Sequence, residues 1–180
     1  MGRKGVRPDI EPSISFLCTR VTKSTKEDKA KLRQLLQYLK HTIYDKLIMG
    51  ADSIIQLCTW VYATYGVHPD LKIHTGGCMY FGYEMVHCKS SKQKLNTKNS
   101  TEAKVIGVSD YLPYNIWICI FLGAQGYDIN RNILFQYNHS AIKMEKNGKK
   151  LCTGNSRHID ISYFFDKDSI ESKNMSIFIL

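Results

Sequence analysis

No apolar run in this 180-residue chain approaches the ~20 residues needed to span a bilayer, and no apolar segment follows the polar start Met1-Gly2-Arg3-Lys4-Gly5. Those two absences argue against a membrane anchor and a secretory signal. A polar start of this kind also fits a chain cut from a longer reading frame. Cysteine pairs at C-x-x-C spacing are missing as well. Cys18, Cys58, Cys78, Cys88, Cys119 and Cys152 are scattered, several of them in apolar runs. They read as buried, reduced thiols of an intracellular protein, cytoplasmic or nuclear. His68, His74, Cys78, His87 and Cys88 match no zinc spacing and fall mostly in predicted strands, so they read as structural. Three sequons, at Asn99, Asn138 and Asn174, have no route to the secretory pathway and carry no weight.

Acidic residues are the other shortage: 16 Asp and Glu stand against 25 Lys and Arg, a net charge of +9. Much of the excess falls in two stretches. One holds Lys89, Lys92, Lys94, Lys98 and Lys104, the other Lys143, Lys146, Lys149, Lys150 and Arg157. Basic blocks separated by apolar strands suit a polyanion-binding face, because phosphate contacts dominate nucleic-acid affinity. A solvated lysine-rich surface has the same composition. No small-molecule cofactor motif is present. The length allows one full domain and a small appendage.

What is present is a clear order of elements. Ile10, Ile14, Leu17 and Val21 recur at helical spacing after Pro8 and Pro12. Ser24-Thr25-Lys26-Glu27 has the form of a capping box, and Leu32, Leu35, Leu36 and Leu39 make one stripe behind it. Gly50-Ala51-Asp52 reads as a turn and as the boundary of the N-terminal unit. Ile54–Tyr65, His74–Phe81 and Glu84–Lys89 then read as an antiparallel meander turning at Gly82-Tyr83, with a bulge predicted at Gly76-Gly77. A long helix capped by Asn99 or Ser100 follows, with Val105, Val108, Leu112, Ile116 and Ile120 as its buried stripe, a kink at Pro113 and an end at Gly123 and Gly126. Strand 133–136, helix 140–146, a helix over 157–168 and a last strand over 175–180 complete the order. A meander, a helix, a parallel strand and further helices make an α/β fold with a mixed sheet.

Five motifs occur in order along this frame. Arg7-Pro8-Asp9-Ile10 is followed by Phe16-Leu17 and Leu35-Leu36-Gln37-Tyr38-Leu39. Val67-His68-Pro69-Asp70 runs on to His74-Thr75-Gly76-Gly77. Ser91-Lys92-Gln93 precedes Asn99-Ser100-Thr101-Glu102-Ala103. Gln136-Tyr137-Asn138-His139-Ser140-Ala141 and Arg157-His158-Ile159-Asp160-Ile161 close the series. In this series the chain resembles copia-type retrotransposon polyproteins, from the end of the reverse transcriptase through the RNase H domain, over residues 6–180. The resemblance implies two parts. Residues 1–52 are a helical segment ending the reverse transcriptase. Residues 53–180 are an RNase H-like mixed sheet whose closing helix falls beyond Leu180, leaving apolar sheet surface uncovered and the domain marginally stable.

In that family two Mg²⁺ ions, held by four converging carboxylates, hydrolyse the RNA strand of an RNA–DNA hybrid. This chain departs from the pattern at each position it reaches. The first-strand aspartate falls at Tyr62, the helix glutamate at Lys104 and the fourth-strand aspartate at Tyr137. The fourth acid lies beyond Leu180, or survives only as Asp160. The resemblance therefore implies a fragment without intact catalytic residues and without a bound metal. A non-catalytic module holding hybrid or other nucleic acid, through Lys89, Lys92, Lys94, Lys98, Lys149 and Arg157, is the alternative. A residual ribonuclease using shifted ligands such as Asp160, Glu102 or Asp110 is a second one.

Overall fold

Leu57, Thr59, Val61 and Ala63 alternate with Cys58, Trp60, Tyr62 and Thr64 along strand β1 (Gln56–Thr64), so the two faces of the strand carry different chemistry. The computed structural model describes residues 7–46, 56–97, 99–147, 165–171 and 175–179. The boundary expected near residues 50–53 and the residues Lys98, Lys149, Cys152, Arg157 and Asp160 lie outside them. Before β1 come helices α1 (Glu11–Cys18) and α2 (Lys26–His41). After it come β2 (His74–Phe81), β3 (Glu84–Lys92), α3 (Ser100–Ala124), β4 (Arg131–Gln136), α4 (His139–Asn147), a short helix α5 over 165–171, and β5 (Met175–Ile179).

The five strands form one mixed sheet in the order β3-β2-β1-β4-β5. β1–β2 and β2–β3 pair antiparallel, while β4 joins β1 and β5 joins β4 in parallel. This is the α/β, RNase H-like arrangement expected from the sequence. Gly82, at a φ of 62°, makes the tight turn between β2 and β3.

α3 lies on one face of the sheet and builds the core there. Val108, Tyr111 and Leu112 pack on Leu57, Val61, Met79, Leu134 and Ile177. Its buried stripe is wider and placed further toward the N-terminus than expected. Ala103, Ile106, Tyr111 and Asn115 belong to it, whereas Ile120 is exposed. Trp117, Ile120 and Phe121 are exposed, on the side of the helix away from Ile118, Cys119 and Leu122, which pack on the core. The helix runs through Pro113, which sits on its exposed side. With 25 residues and a mean hydropathy of 1.4 over its most apolar window, α3 is long and apolar enough to cross a membrane, contrary to the expectation from apolar runs alone. Packing against β1 and β2 accounts for the buried part of that apolarity, 44% of the window.

Polar groups fix how α3 sits. The amide of Asn115, fully buried, donates to Thr59 Oγ1 at 2.8 Å and to Asn132 Oδ1 at 2.9 Å. Asn132 returns a bond to Asn115 Oδ1 at 2.7 Å. At the other end, the buried Gln93 amide donates to Thr75 Oγ1 at 2.7 Å and to the Ala103 carbonyl at 2.9 Å. Asn99 caps the helix by accepting from the Glu102 N–H at 2.8 Å.

Local features differ from expectation. The capping box of α2 is one residue further on, with Thr25 as cap and Asp28, not Glu27, closing it. The register irregularity of β2 lies between Met79 and Tyr80 rather than at Gly76-Gly77. Gly77 serves a different end: a Cβ there would stand 2.4–2.8 Å from the Tyr111 ring. The leucine stripe of α2 is not a core stripe either, since Leu32 and Leu36 are exposed and only Asp28 is buried.

The α1–α2 unit is tied internally by its motif residues. Arg7 forks onto Asp9 at 2.8 Å and bonds the Thr42 carbonyl at 3.0 Å, and Tyr38 OH donates to Asp9 at 2.9 Å. α1 then docks along β3, where Ser15 Oγ donates to the Ser90 carbonyl at 2.7 Å.

One pair of side chains sits badly in this otherwise apolar layer. Glu145 of α4 and Asp166 of α5 are both fully buried. Gln136 donates to one Glu145 oxygen, but the second, and both Asp166 oxygens, lack a well-formed hydrogen bond among the described residues. Burial pushes Glu145 up to about 8, and burial together with Glu145 raises Asp166 well above the usual carboxylate range.

Three outcomes follow from this packing. Gly77→Ala is expected to cost about 1–3 kcal/mol, read from urea denaturation midpoints, because the Tyr111 ring must move. Tyr111→Phe should be neutral or stabilising by up to about 1 kcal/mol, since the Tyr111 hydroxyl is buried without a partner among the described residues. For Glu145 and Asp166 the folded-state pKa lies above the unfolded one. Their contribution is therefore full below about pH 4 and falls as pH rises, that of Glu145 being lost as pH passes through about 8. Unfolding at pH 5 and pH 8 should differ by a few kcal/mol in favour of the lower pH, because each tenfold difference in proton affinity between the folded and unfolded states is worth about 1.4 kcal/mol. Glu145→Gln should flatten that slope.

Candidate functional site

β1 outlasts its parallel neighbour. Pairing between the two ends at Trp60 and Phe135, and β4 stops at Gln136, so the last residues of β1 have no strand beside them on that side among the described residues. The result is a notch at the end of the sheet. Tyr62 stands on its β1 wall, on the face away from α3. Tyr137, the first residue after β4, stands opposite. Their ring centroids are 5.8 Å apart with an interplanar angle of 86°. Lys104, from the first turns of α3, brings its ammonium to 5.8 Å from the centroid of the Tyr62 ring. Three positions far apart in sequence thus meet at one place. The tyrosines do not plug it, since Tyr62 is 50% and Tyr137 58% exposed.

The notch opens into a groove of about 420 Å³ on the sheet face opposite α3. Pro8 and Pro12, Trp60 and Tyr62, and Gly76 and Cys78 are among its walls, and none of the lining residues is acidic. Trp60 is the hub of the surrounding aromatic surface. It stacks on Phe135 at 4.8 Å and meets Tyr80 edge-on at 4.9 Å, and Phe135 continues to Phe178 at 6.3 Å.

These residues do not fit a pair of Mg²⁺ ions. Hard cations need several anionic oxygens. Two neutral phenols and an ammonium supply none, and the ammonium repels the ion. Glu102 and Asp110 do not replace them. Glu102 belongs to the capped first turn of α3, and the half-buried Asp110 interacts with Lys89, Lys94 and Asp166, away from the tyrosines.

Among the described residues, the lysines named from sequence take different places. Lys89 donates to Tyr114 OH of α3 and lies 4.4 Å from that ring's centroid. Lys92 is at the end of β3 and pairs with Asp70 at 2.6 Å. Lys94 is exposed just after the strand, and its carbonyl accepts from Lys72 Nζ at 3.2 Å. Lys104, by contrast, stands at the tyrosine pair.

The histidines divide in the same way. His87 stacks on Tyr114 of α3 at 5.0 Å. His68 and His74 meet at 3.0 Å under α1, with Ser90 Oγ 2.8 Å from His74 and the Phe16 ring stacked on His68 at 5.5 Å. Burial, with His74 alongside, drops His68 to about 4, and burial lowers His74 too, so both are neutral at pH 7. Cys78 and Cys88 are opposed across β2 and β3 with thiols that burial makes more basic.

The residues that sequence reasoning missed are the ones that aim Lys104. Gln93 was legible only as part of a motif, and Asn115 and Asn132 carried no motif at all. An asparagine inside an apolar helical stripe was the available signal, since a buried amide must find partners.

No protein-family model matches the chain. Among curated proteins it is 26% identical over 168 residues to a retrovirus-related Pol polyprotein from transposon RE1 of Arabidopsis thaliana, a match covering 92% of this chain and 11% of that polyprotein. The chain thus spans about a tenth of the length of the relative it matches. Among solved structures it is similar to LC11-RNase H1 in complex with RNA/DNA hybrid. The TM-score is 0.51 and the identity 8%, over 69% of this chain and 85% of that one. It is also similar to the foamy viral protease-reverse transcriptase in complex with RNA/DNA hybrid, with a TM-score of 0.50 and 11% identity, over 93% of this chain and 25% of that one. Sequence similarity along nearly the whole chain and the shared sheet architecture agree: the chain is a relative of retrotransposon Pol polyproteins, in the region that carries an RNase H-like fold.

Proposed function

We propose that this chain is the RNase H-like part of a copia-type retrotransposon polyprotein that has lost two-metal hydrolysis and retains the ability to hold nucleic acid. In this reading residues 1–52 end the reverse transcriptase and residues 53–180 form the RNase H-like domain. The observation that carries it is the meeting of Tyr62, Lys104 and Tyr137 at one notch. The positions that correspond to three of the family's ligands converge, but a cation now stands where cations would bind. Two-metal catalysis needs ions about 3.5–4 Å apart that activate water and stabilise the leaving oxygen. Nothing at the notch can hold the first ion.

Binding needs no metal. A net charge of +9, an acid-free groove and exposed aromatic rings suit a polyanion with planar bases. The RNase H and reverse transcriptase structures that share the fold hold RNA/DNA hybrid. The same class of ligand is proposed for this chain.

A labelled RNA–DNA hybrid incubated with the purified chain, first in Mg²⁺ and then in Mn²⁺, tests both halves of the proposal. No cleavage above background is expected, together with a gel shift that weakens steeply between about 50 and 200 mM salt. Cleavage that vanishes on Asp160→Ala would instead establish a ribonuclease built from shifted ligands. Absence of binding even at low salt would leave a degenerate remnant.

A further inference from the structure

We propose that the notch between β1 and β4 is a stacking site for an unpaired nucleobase, with Tyr62 and Tyr137 as its ring surfaces and Lys104 as the partner of the adjoining phosphate. The proposal rests on the reading that the domain binds nucleic acid and names the form of nucleic acid that this site takes.

The geometry of the two rings carries it. In an edge-to-face pair only one ring turns its face to the other, so the second keeps both faces clear of its partner. The pair here is close to perpendicular at 86°, and each ring is about half exposed. Lys104 occupies one side of Tyr62, so Tyr137 is left with an open face at the mouth of the groove. A flat aromatic ligand can lie on the exposed part of that ring.

The surroundings select the class of ligand. The groove is large enough for a nucleoside-sized group, and its walls at Trp60, Pro8, Pro12 and Gly76 are apolar and present little rotamer freedom to lose on binding. A peptide aromatic side chain would use the ring faces but not the ammonium. A nucleotide uses both, because every base has a π-face and every nucleotide a phosphate. In a duplex the base faces are already covered by their neighbours, so the site favours single-stranded or frayed segments over continuous hybrid.

The test uses the full chain and a single-stranded DNA of about fifteen nucleotides carrying one 2-aminopurine, whose fluorescence is quenched by stacking. Wild-type protein is expected to bind and quench it. Tyr137→Leu and Tyr62→Leu should each weaken binding roughly ten-fold and relieve the quenching, whereas Tyr137→Phe and Tyr62→Phe should behave as wild type, because stacking uses the ring and not the hydroxyl. Lys104→Gln should lower the slope of log affinity against log salt by about 0.7. Circular dichroism melting confirms that each variant is folded, and the well-exposed Tyr137 variant serves alone if substitution at Tyr62 disrupts β1. Leucine variants that bind and quench like wild type would overturn the stacking site while leaving salt-dependent hybrid binding, and the parent reading, intact. Failure of both probes, single strand and hybrid, to bind wild-type protein would remove the parent reading and this site with it.

Discussion

The buried amide of Asn115 is the constraint on which the placement of the site depends. It can be satisfied only where Thr59 of β1 and Asn132 of β4 lie together, so it holds α3 over the seam between those strands. Leaving such a group unpaired costs about 1–3 kcal/mol, which makes other rotations of the helix unfavourable. Lys104 precedes Asn115 by eleven residues, about three turns of helix, and so lies on nearly the same line, roughly 16 Å back along the axis. Fixing one end over the seam therefore sends the other to the point where β4 has stopped and β1 continues. Gln93, clamping Thr75 and the Ala103 carbonyl, holds that end from the side of β2 and β3.

The two faces of the sheet divide the labour. The α3 face is closed by interdigitated apolar residues and by Tyr111 lying on Gly77. The opposite face is aromatic and partly open, and it carries the notch. A lysine at position 104 belongs to both: its backbone is part of the helix that closes one face, and its ammonium reaches the tyrosine on the other. The scaffold thus brings Tyr62, Lys104 and Tyr137 together from three separate elements. Burial pushes the carboxyls of Glu145 and Asp166 up, so this chain does keep buried acids, one of them held by Gln136 and neither among the groove's lining residues.

Much of the fold was legible because it is written in local periodicity. Alternation along β1 and β2, the cap at Asn99 and the turn at Gly82 each depend on residues a few positions apart. The RNase H-like order follows from those elements in sequence. Long-range selection of one local option over another was not legible. Thr25 caps with Asp28 although Ser24 and Glu27 make an equally good pattern on paper, and Gly77 is needed for a tyrosine thirty-four residues away rather than for a bulge. For the site, Tyr62, Lys104 and Tyr137 could be named from the motifs, but the edge-to-face contact of the tyrosines and their exposure depend on where β4 ends relative to β1. Lys89 and Lys92 have opposite parity on β3 and so point to opposite faces of the sheet, a period-two fact that a list of basic residues hides.

The docking of α1 along β3 makes the two borders of the sheet unlike each other. At the β3 border Ser15 already occupies a main-chain carbonyl and Pro8 O lies within reach of the Cys88 thiol, so an approaching strand meets a helix. At the β5 border the described residues place no further strand, and Phe178 and Ile179 are partly exposed. Unpaired strand edges template pairing with other chains. Among the described residues the β5 border is therefore the more open of the two, and a proline or charge introduced there would hinder strand addition more than one introduced at β3.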